Sequence, residues 1–304
     1  MTHLSTIIVH YNADELTQIC LRSLQQLKTD GIDHQVVVVD NGSKEALRLP
    51  KALRSKGVEV IRSDSNLGFT GGNNLGLRHA IDHYKSDWVL LLNNDTRLAP
   101  DCAKRLLAAG QTAGRVGIVN PKVYFTAGRE FHGQSYRQAD LGKVLWYAGG
   151  SIDWEHVTAF HRGVDELDRG QFDQDTQTDF ATGCCLLVSR QVLETIGLLD
   201  ERFFLYLEDV EFSLRARSAG FEIRFCPQAK VWHDNAGSSD GAGSKLSTYY
   251  QTRNRLYFGA KYGGLLTRIN TTRLGWRFLT SGSSAERAGA IDMLIGRMGK
   301  RSVV

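Results

Sequence analysis

Four prolines in 304 residues leave no room for a Pro-rich linker. Five cysteines, an odd number with Cys184 and Cys185 adjacent and no pair at metal-ligand spacing, argue against a disulfide framework and read as thiols of a reducing compartment. No apolar run approaches the ~18 residues that a membrane-spanning helix needs. The longest, around Trp88 to Leu92 and Cys184 to Val188, are strand-sized. The N-terminus enters Ser5-Thr6-Ile7-Ile8-Val9 without the basic start, apolar stretch and small-residue cleavage site of a secretory signal, which predicts a cytoplasmic address. Internal repeats are absent, and low-complexity sequence is confined to the stretch from Gly237 to Ser244.

Against these absences stands an ordinary globular composition. Hydrophobic residues at 42% and charged residues at 23% exclude a fibrous or wholly disordered chain. The net charge of +4 is unevenly spread: from Lys245 onward eleven Lys and Arg face only Glu286 and Asp292, a surplus of +9 that leaves −5 on residues 1–244. A cationic tail interleaved with Tyr249, Tyr250, Tyr257, Phe258, Tyr262, Trp276 and Phe278 suits a solvated helical appendage or a peripheral contact with anionic lipid. Nucleic acid is the weaker partner for it, and a homodimer stays open. The Gly/Ser-rich stretch predicts the main boundary, with a body over 1–236 (halves about 1–110 and 111–236) and a basic helical segment over 237–304.

Through the first half, strand and helix signals alternate. Thr6 to Val9, Val36 to Val39, Val58 to Ile61 and Trp88 to Leu92 are β-branched or apolar runs. Between them Leu16, Cys20, Leu24 and Leu27 recur at helical spacing, Leu75 to Tyr84 reads as a helix, and Pro100 opens another. The series predicts a doubly wound, mostly parallel α/β sheet with helices on both faces. From about Gly110 to Gly183 the alternation blurs, and a mixed sheet with acceptor-facing loops is expected. Ligands of such sheets bind beyond the carboxyl ends of the strands. There the sequence places Tyr11-Asn12, Asp40-Asn41-Gly42-Ser43, Asn66-Leu67-Gly68-Phe69 and Asn93-Asn94-Asp95.

Each cluster carries chemistry. A carboxylate such as Asp40 at a sheet edge can accept the ring N–H of uracil or thymine. The glycine-rich run from Gly68 to Asn74 leads into a helix and offers backbone N–H groups to a diphosphate or sugar, although it matches neither a Walker loop nor a dinucleotide fingerprint. Asp95, with Asn94 as a neutral oxygen partner, suits Mg²⁺ or Mn²⁺. Glu208-Asp209 follows the aromatic run Phe203-Phe204-Leu205-Tyr206-Leu207, where a carboxylate at a dry margin can act as general base or simply favour a helix N-terminus.

Taken in order, these motifs, together with Arg215, Gly220, Pro227, His233 and Arg253-Asn254, resemble the inverting glycosyltransferases of family 2, which have the GT-A fold, and in particular their bacterial rhamnosyltransferase-like branch. The resemblance runs from Ser5 to about Phe258. It implies that Val9, Tyr11 and Asp40 enclose a pyrimidine base, and that Asn66, Gly68 and Asn73 line the diphosphate-sugar region. It implies Asp95 as the ligand of a divalent cation (Mg or Mn), His233 as a further ligand or phosphate contact, Asp209 as catalytic base and Glu208 as its orienting neighbour. Arg253 would face the diphosphate or the acceptor. The implied substrates are a dTDP- or UDP-sugar, dTDP-rhamnose favoured, and a glycan or lipid-linked acceptor. Many members carry two or three carboxylates where Asn93 and Asn94 leave only Asp95, which implies a cation completed by the nucleotide. Two other readings compete: a sugar nucleotidyltransferase, for which the Arg-containing Gly-rich loop after the first strand is missing, and a non-catalytic nucleotide-sugar-binding or membrane-scaffolding protein.

Overall fold

The computed structural model of the protein describes residues 1–54, 57–112, 114–235 and 243–301. The expected alternation becomes β1 (Thr2–His10), α1 (Asp14–Leu24), β2 (Ile32–Asn41), α2 (Lys51–Arg54), β3 (Val58–Ser63), α3 (Gly68–Asp82), β4 (Trp88–Asn93), β5 (Thr96–Leu98) and α4 (Cys102–Gly110). The less legible middle contains β6 (Val116–Phe125), β7 (Leu145–Tyr147), β8 (Gly150–Asp153), β9 (Thr158–His161), β10 (Thr176–Gln177) and β11 (Cys185–Ser189). Then come α5 (Arg190–Ile196), α6 (Glu208–Ser218), β12 (Glu222–His233), and three helices, α7 (Lys245–Tyr262), α8 (Leu265–Ser281) and α9 (Ser284–Leu294).

One sheet runs in the order β10-β12-β6-β11-β4-β1-β2-β3, with β5 added to β12 and β7 to β6. The half formed by β3, β2, β1 and β4 is parallel. β11 then runs antiparallel to both β4 and β6, while β6 and β12 are parallel, so the sheet is mixed and mostly parallel. The run Val36 to Val39 is buried on both faces, as a central parallel strand requires. Val36 and Val38 pack with Leu4, Ile8, Cys20 and Leu21 on one side, and Val37 and Val39 with Ile7, Leu77 and Ala80 on the other. Each fully buried branched side chain contributes roughly 1.5–3 kcal/mol. All five cysteines are buried free thiols.

Two local expectations shift. The glycine-rich run is not a loop before α3 but its first turns, since the helix begins at Gly68. After Pro100 the helix starts at Cys102. α6 carries Glu208, Asp209 and Glu211 in its first turn and ends before Gly220, whose φ of +83° suits a residue without Cβ. The expected hinge lies mainly over 236–242, outside the described residues. On its far side Ser244 caps α7 by accepting the Ser247 N–H. Tyr249 and Tyr250 of α7 and Ala285 of α9 pack against Phe204, which seats the C-terminal helices on the loop leading into α6. No helix among the described residues is long and apolar enough to cross a membrane.

Candidate active site

Parallel pairing of β2, β1 and β4 aligns their carboxyl ends, with His10 opposite Asp40 and Val9 opposite Asn93. The polar residues that follow therefore meet in one place. A cleft of about 960 Å³ opens there, lined by Val9, Tyr11, Asn41, Asn66, Gly68, Asn94 and Asp95, and also by Glu208, Asp209 and His233. Asn41 ties two strand ends together: its Nδ2 donates to the Gly68 carbonyl at 2.9 Å and its Oδ1 accepts the Leu67 N–H at 2.9 Å. Gly68 has φ +75°, and a Cβ there would lie 2.4 Å from the Phe204 carbonyl oxygen, so only glycine lets that loop approach.

Asp95 and His233, distant in sequence, are joined by antiparallel pairing of β5 with β12, in which Thr96 faces His233. The Asp234 N–H donates to the Asp95 carbonyl at 2.8 Å, and His233 Nε2 lies 3.1 Å from Asp95 Oδ1. Burial alone would lower the imidazole's pKa, but the nearby Cys184 sulfur and the Asp95 carboxylate outweigh it and hold the value above the ordinary histidine range. The Trp146 ring stands edge-on to His233 at 4.6 Å.

These residues fit a divalent cation. His233 Nε2 faces the Asp95 carboxylate and becomes a nitrogen ligand once a cation displaces its proton, Asp95 offers a hard oxygen, and Asn94 spends its Nδ2 on Thr17 Oγ1 at 3.0 Å, which leaves its amide oxygen as an acceptor. Such a set leaves coordination positions for phosphate oxygens, as Mg²⁺ and Mn²⁺ commonly use. A separate group of possible metal ligands, Glu59, His79 and His83, lies on β3 and at the end of α3 and contributes nothing to the cleft wall.

Asp209 comes to the same cleft from α6. Its Oδ2 accepts the Gly183 N–H at 2.9 Å and its Oδ1 the Val210 N–H at 2.8 Å. Gly183 precedes Cys184, whose carbonyl accepts the Asn93 N–H at 2.9 Å, so two short links join Asp209 to the end of β4, two residues before Asp95. The Cys184 thiol registers both carboxylates: burial raises its pKa first, His233 opposes, and Asp95 and Asp209 each push it further up. Burial raises the Asp209 pKa, with the two N–H donors resisting. Glu208 is pushed up strongly by burial and by Asp209, and its Oε2 has no partner. Two adjacent buried carboxyls cannot both ionise cheaply. The charge belongs on Asp209, which has the donors, and the proton on Glu208.

Residues 2–259 match the family described as "Glycosyltransferase like family 2". The chain belongs to that family. Among its relatives, a low-salt glycan biosynthesis hexosyltransferase of Haloferax volcanii is 27% identical over 279 residues, 90% of this chain and 82% of that one. An N-acetylglucosaminyl-diphospho-decaprenol L-rhamnosyltransferase of Mycobacterium tuberculosis is 26% identical over 215 residues, 67% of each chain. The fold is that of the crystal structure of GalNAc-T7 with UDP, GalNAc and Mn²⁺, with a TM-score of 0.65 at 16% identity over 97% of this chain and 55% of that one. The protein is thus a family 2 glycosyltransferase, similar to rhamnosyl- and hexosyltransferases.

In this glycosyltransferase three expected site residues lie elsewhere. Asp40 does not line the cleft: its Oδ1 accepts the Ser43 N–H at 3.1 Å, and its Oδ2 accepts the Leu47 N–H at 3.1 Å and Arg62 Nη1 at 2.7 Å, so the carboxylate serves its own loop. Asn73 is buried within α3 and donates to the Phe69 carbonyl at 2.9 Å. Arg253, expected to face the diphosphate or the acceptor, instead lies behind the loop that leads into α6. Its guanidinium is wholly buried and donates to the carbonyls of Gly299 at 2.7 Å, Arg202 at 3.1 Å and Phe203 at 3.1 Å.

Beside Arg253, Asn254 Nδ2 faces the carbonyls of Phe203, Leu205 and Tyr206 at 2.9, 2.8 and 2.9 Å. Phe204, Tyr206 and Leu207 in that loop have φ of 60°, 70° and 67°, a backbone region costly for side chains with Cβ. Arg253 and Asn254 hold the strained turn that presents Glu208 and Asp209. Several cleft residues escaped the sequence reading. Asn41 was visible as part of Asp40-Asn41-Gly42-Ser43, whereas Trp146, His161, Arg255 and Arg277 reach the wall from segments without a local signal.

Proposed function

We propose that this glycosyltransferase inverts the anomeric carbon of a nucleoside-diphosphate sugar, dTDP-rhamnose in preference to a UDP-sugar, and transfers the sugar to a hydroxyl of a lipid-linked or glycan acceptor. The observation that carries the reading is the convergence of the Asp95–His233 pair and Asp209 on one cleft. The rhamnosyl and diphospho-decaprenol parts of the mycobacterial relative's name support the sugar and the acceptor class.

Asp209 Oδ takes the proton of the acceptor hydroxyl as that oxygen attacks the anomeric carbon on the face opposite the nucleotide, and the nucleoside diphosphate leaves in the same displacement. Protonated Glu208 keeps the base site from carrying two charges. A divalent cation held by Asp95 and His233 would supply countercharge for the departing diphosphate. Tyr11 and Val9 border the base, Asn66 and Gly68 the diphosphate and sugar. The donor half over 1–110 and acceptor half over 111–236, with a C-terminal helical unit, give the domain division that goes with this mechanism.

A thermal-shift panel of dTDP, UDP and GDP, with and without Mn²⁺ or Mg²⁺, tests the donor class, because a ligand bound only by the folded state raises its melting temperature. Donor hydrolysis by the wild type and Asp209→Asn tests the base. Equal, slow release of nucleoside diphosphate by both would leave a non-catalytic sugar-nucleotide-binding role.

A further inference from the structure

Beyond the donor site, α7 and α8 add two arginines to the cleft wall, Arg255 and Arg277. Arg255 is half-buried and anchored: its Nε donates to the Val157 carbonyl at 2.7 Å and its Nη2 to the His156 carbonyl at 2.6 Å, while its Nη1 has no partner among the described residues. The exposed Arg277 guanidinium lies over the face of the Phe278 ring, with 5.5 Å from the guanidinium carbon to the ring centroid. Neither has a carboxylate within 4.0 Å among the described residues. Glu286, which shares the wall, spends its carboxylate on the Ser283 N–H at 2.7 Å in the capping box of α9. The charge is costly where it stands: burial lowers the Arg255 pKa, Arg277 lowers it further, and Asp153 alone opposes. Two guanidiniums on one cleft wall, Arg255 half-buried and Arg277 exposed, outnumber the single Glu286 carboxylate there and suit an anion with several oxygens, which planar donor forks bind well.

The helix bearing Arg277 says where that anion comes from. α8 buries Thr267, Thr271, Leu274 and Phe278 against its neighbours. On the opposite stripe it exposes Leu265 (77%), Ile269 (40%) and Trp276 (65%). Arg268 and Arg273 flank the stripe, and α8 contains no Asp or Glu. An outward apolar stripe with basic flanks is the pattern of a helix that lies in a membrane interface.

We propose that Arg255 and Arg277 form the subsite for the diphosphate of a lipid-linked acceptor, delivered along the membrane-facing stripe of α8. This rests on the transferase reading above and assigns its acceptor residues. The probe is geranyl diphosphate, titrated calorimetrically into protein saturated with dTDP and Mg²⁺, with geraniol and inorganic pyrophosphate as the other arms. Expected is binding of geranyl diphosphate that weakens about tenfold or more in Arg255→Gln and in Arg277→Gln, the loss of a charge-assisted contact. Geraniol should not bind. Each variant is first shown to be folded by its thermal shift with dTDP and Mg²⁺. Unchanged affinity in the double variant, or no binding by the wild type, overturns the proposal. Pyrophosphate binding as tightly as geranyl diphosphate overturns its lipid part. Absence of the nucleotide shift in the wild type would instead strike the transferase reading, and the dependence on the two arginines is read separately from it.

Discussion

Asn254, in the middle of α7, donates its side-chain amide to the carbonyl oxygen of Tyr206 at 2.9 Å, two residues before Glu208. A left-handed turn of bulky residues persists only where its surroundings over-determine it, and here the determinants are one amide and one guanidinium of the neighbouring helix. Asn254→Ala should lose about 1–3 kcal/mol for each buried carbonyl left unpaired. Transferase kcat should fall as well, because the base is no longer aimed. Chemical denaturation and steady-state kinetics check this; a variant destabilised but with unchanged kcat would sever the turn from catalysis.

Asp209→Asn should lower the rate on the order of 10²- to 10⁴-fold, the usual contribution of a positioned base. The same change should stabilise the fold at neutral pH. The carboxyl's folded pKa lies above its ordinary 3.8, so the folded state holds the proton more tightly than the unfolded chain. Stability from this group is therefore present at low pH and lost as pH climbs from about 3.8 through the folded value. Melting temperatures of the two proteins at pH 4 and pH 7 should diverge toward the higher pH.

Glu208→Gln should behave differently, since glutamine resembles the protonated acid assigned to this position. Activity at neutral pH should stay within several-fold of wild type. In both proteins kcat should rise with pH along a limb set by Asp209 and lying above the ordinary aspartate range. A loss as deep as that of Asp209→Asn would place the working charge on Glu208.

Asp95→Asn should abolish the extra thermal shift that Mn²⁺ or Mg²⁺ adds to a bound nucleoside diphosphate, while leaving the metal-free shift in place. Equal cation-dependent shifts in the variant and the wild type would remove Asp95 from the metal site.

Gly68→Ala should be strongly destabilising. The new Cβ meets the Phe204 carbonyl oxygen at 2.4 Å in a backbone of φ +75°, so clash and strain combine at the turn that leads to Asp209. Thermal unfolding reads the loss, and a near-neutral effect would show the 203–207 loop to be free to move.

Much of this was legible in the chain before it folded. Continuous apolar runs marked β1 to β4, and helical spacing marked α1 and much of α3, because burial of one or both faces is written locally in side-chain polarity, whereas the short α2 carried no such signal. Parallel pairing then forced Tyr11, Asn66 and Asp95 to one edge, and the acidic start of α6 marked Asp209. Asp40, Asn73 and Arg253 read equally well as ligand contacts, yet all three bond to neighbouring groups of the protein, Asp40 to Arg62 as well as to backbone N–H groups. A sequence shows which groups can donate or accept, not whether a neighbouring carbonyl or guanidinium has already claimed them.

By itself, then, the sequence determined the strand and helix alternation, the polar strand ends and the kinds of chemistry they can support. Only tertiary structure decided that β5 pairs with β12 and so sets His233 against Asp95, that Gly183 holds Asp209, and that Arg255 and Arg277 share a wall. The reason is physical: local periodicity reports which face of an element is buried, whereas contacts between distant segments depend on register, crossover and close packing, which no single segment encodes.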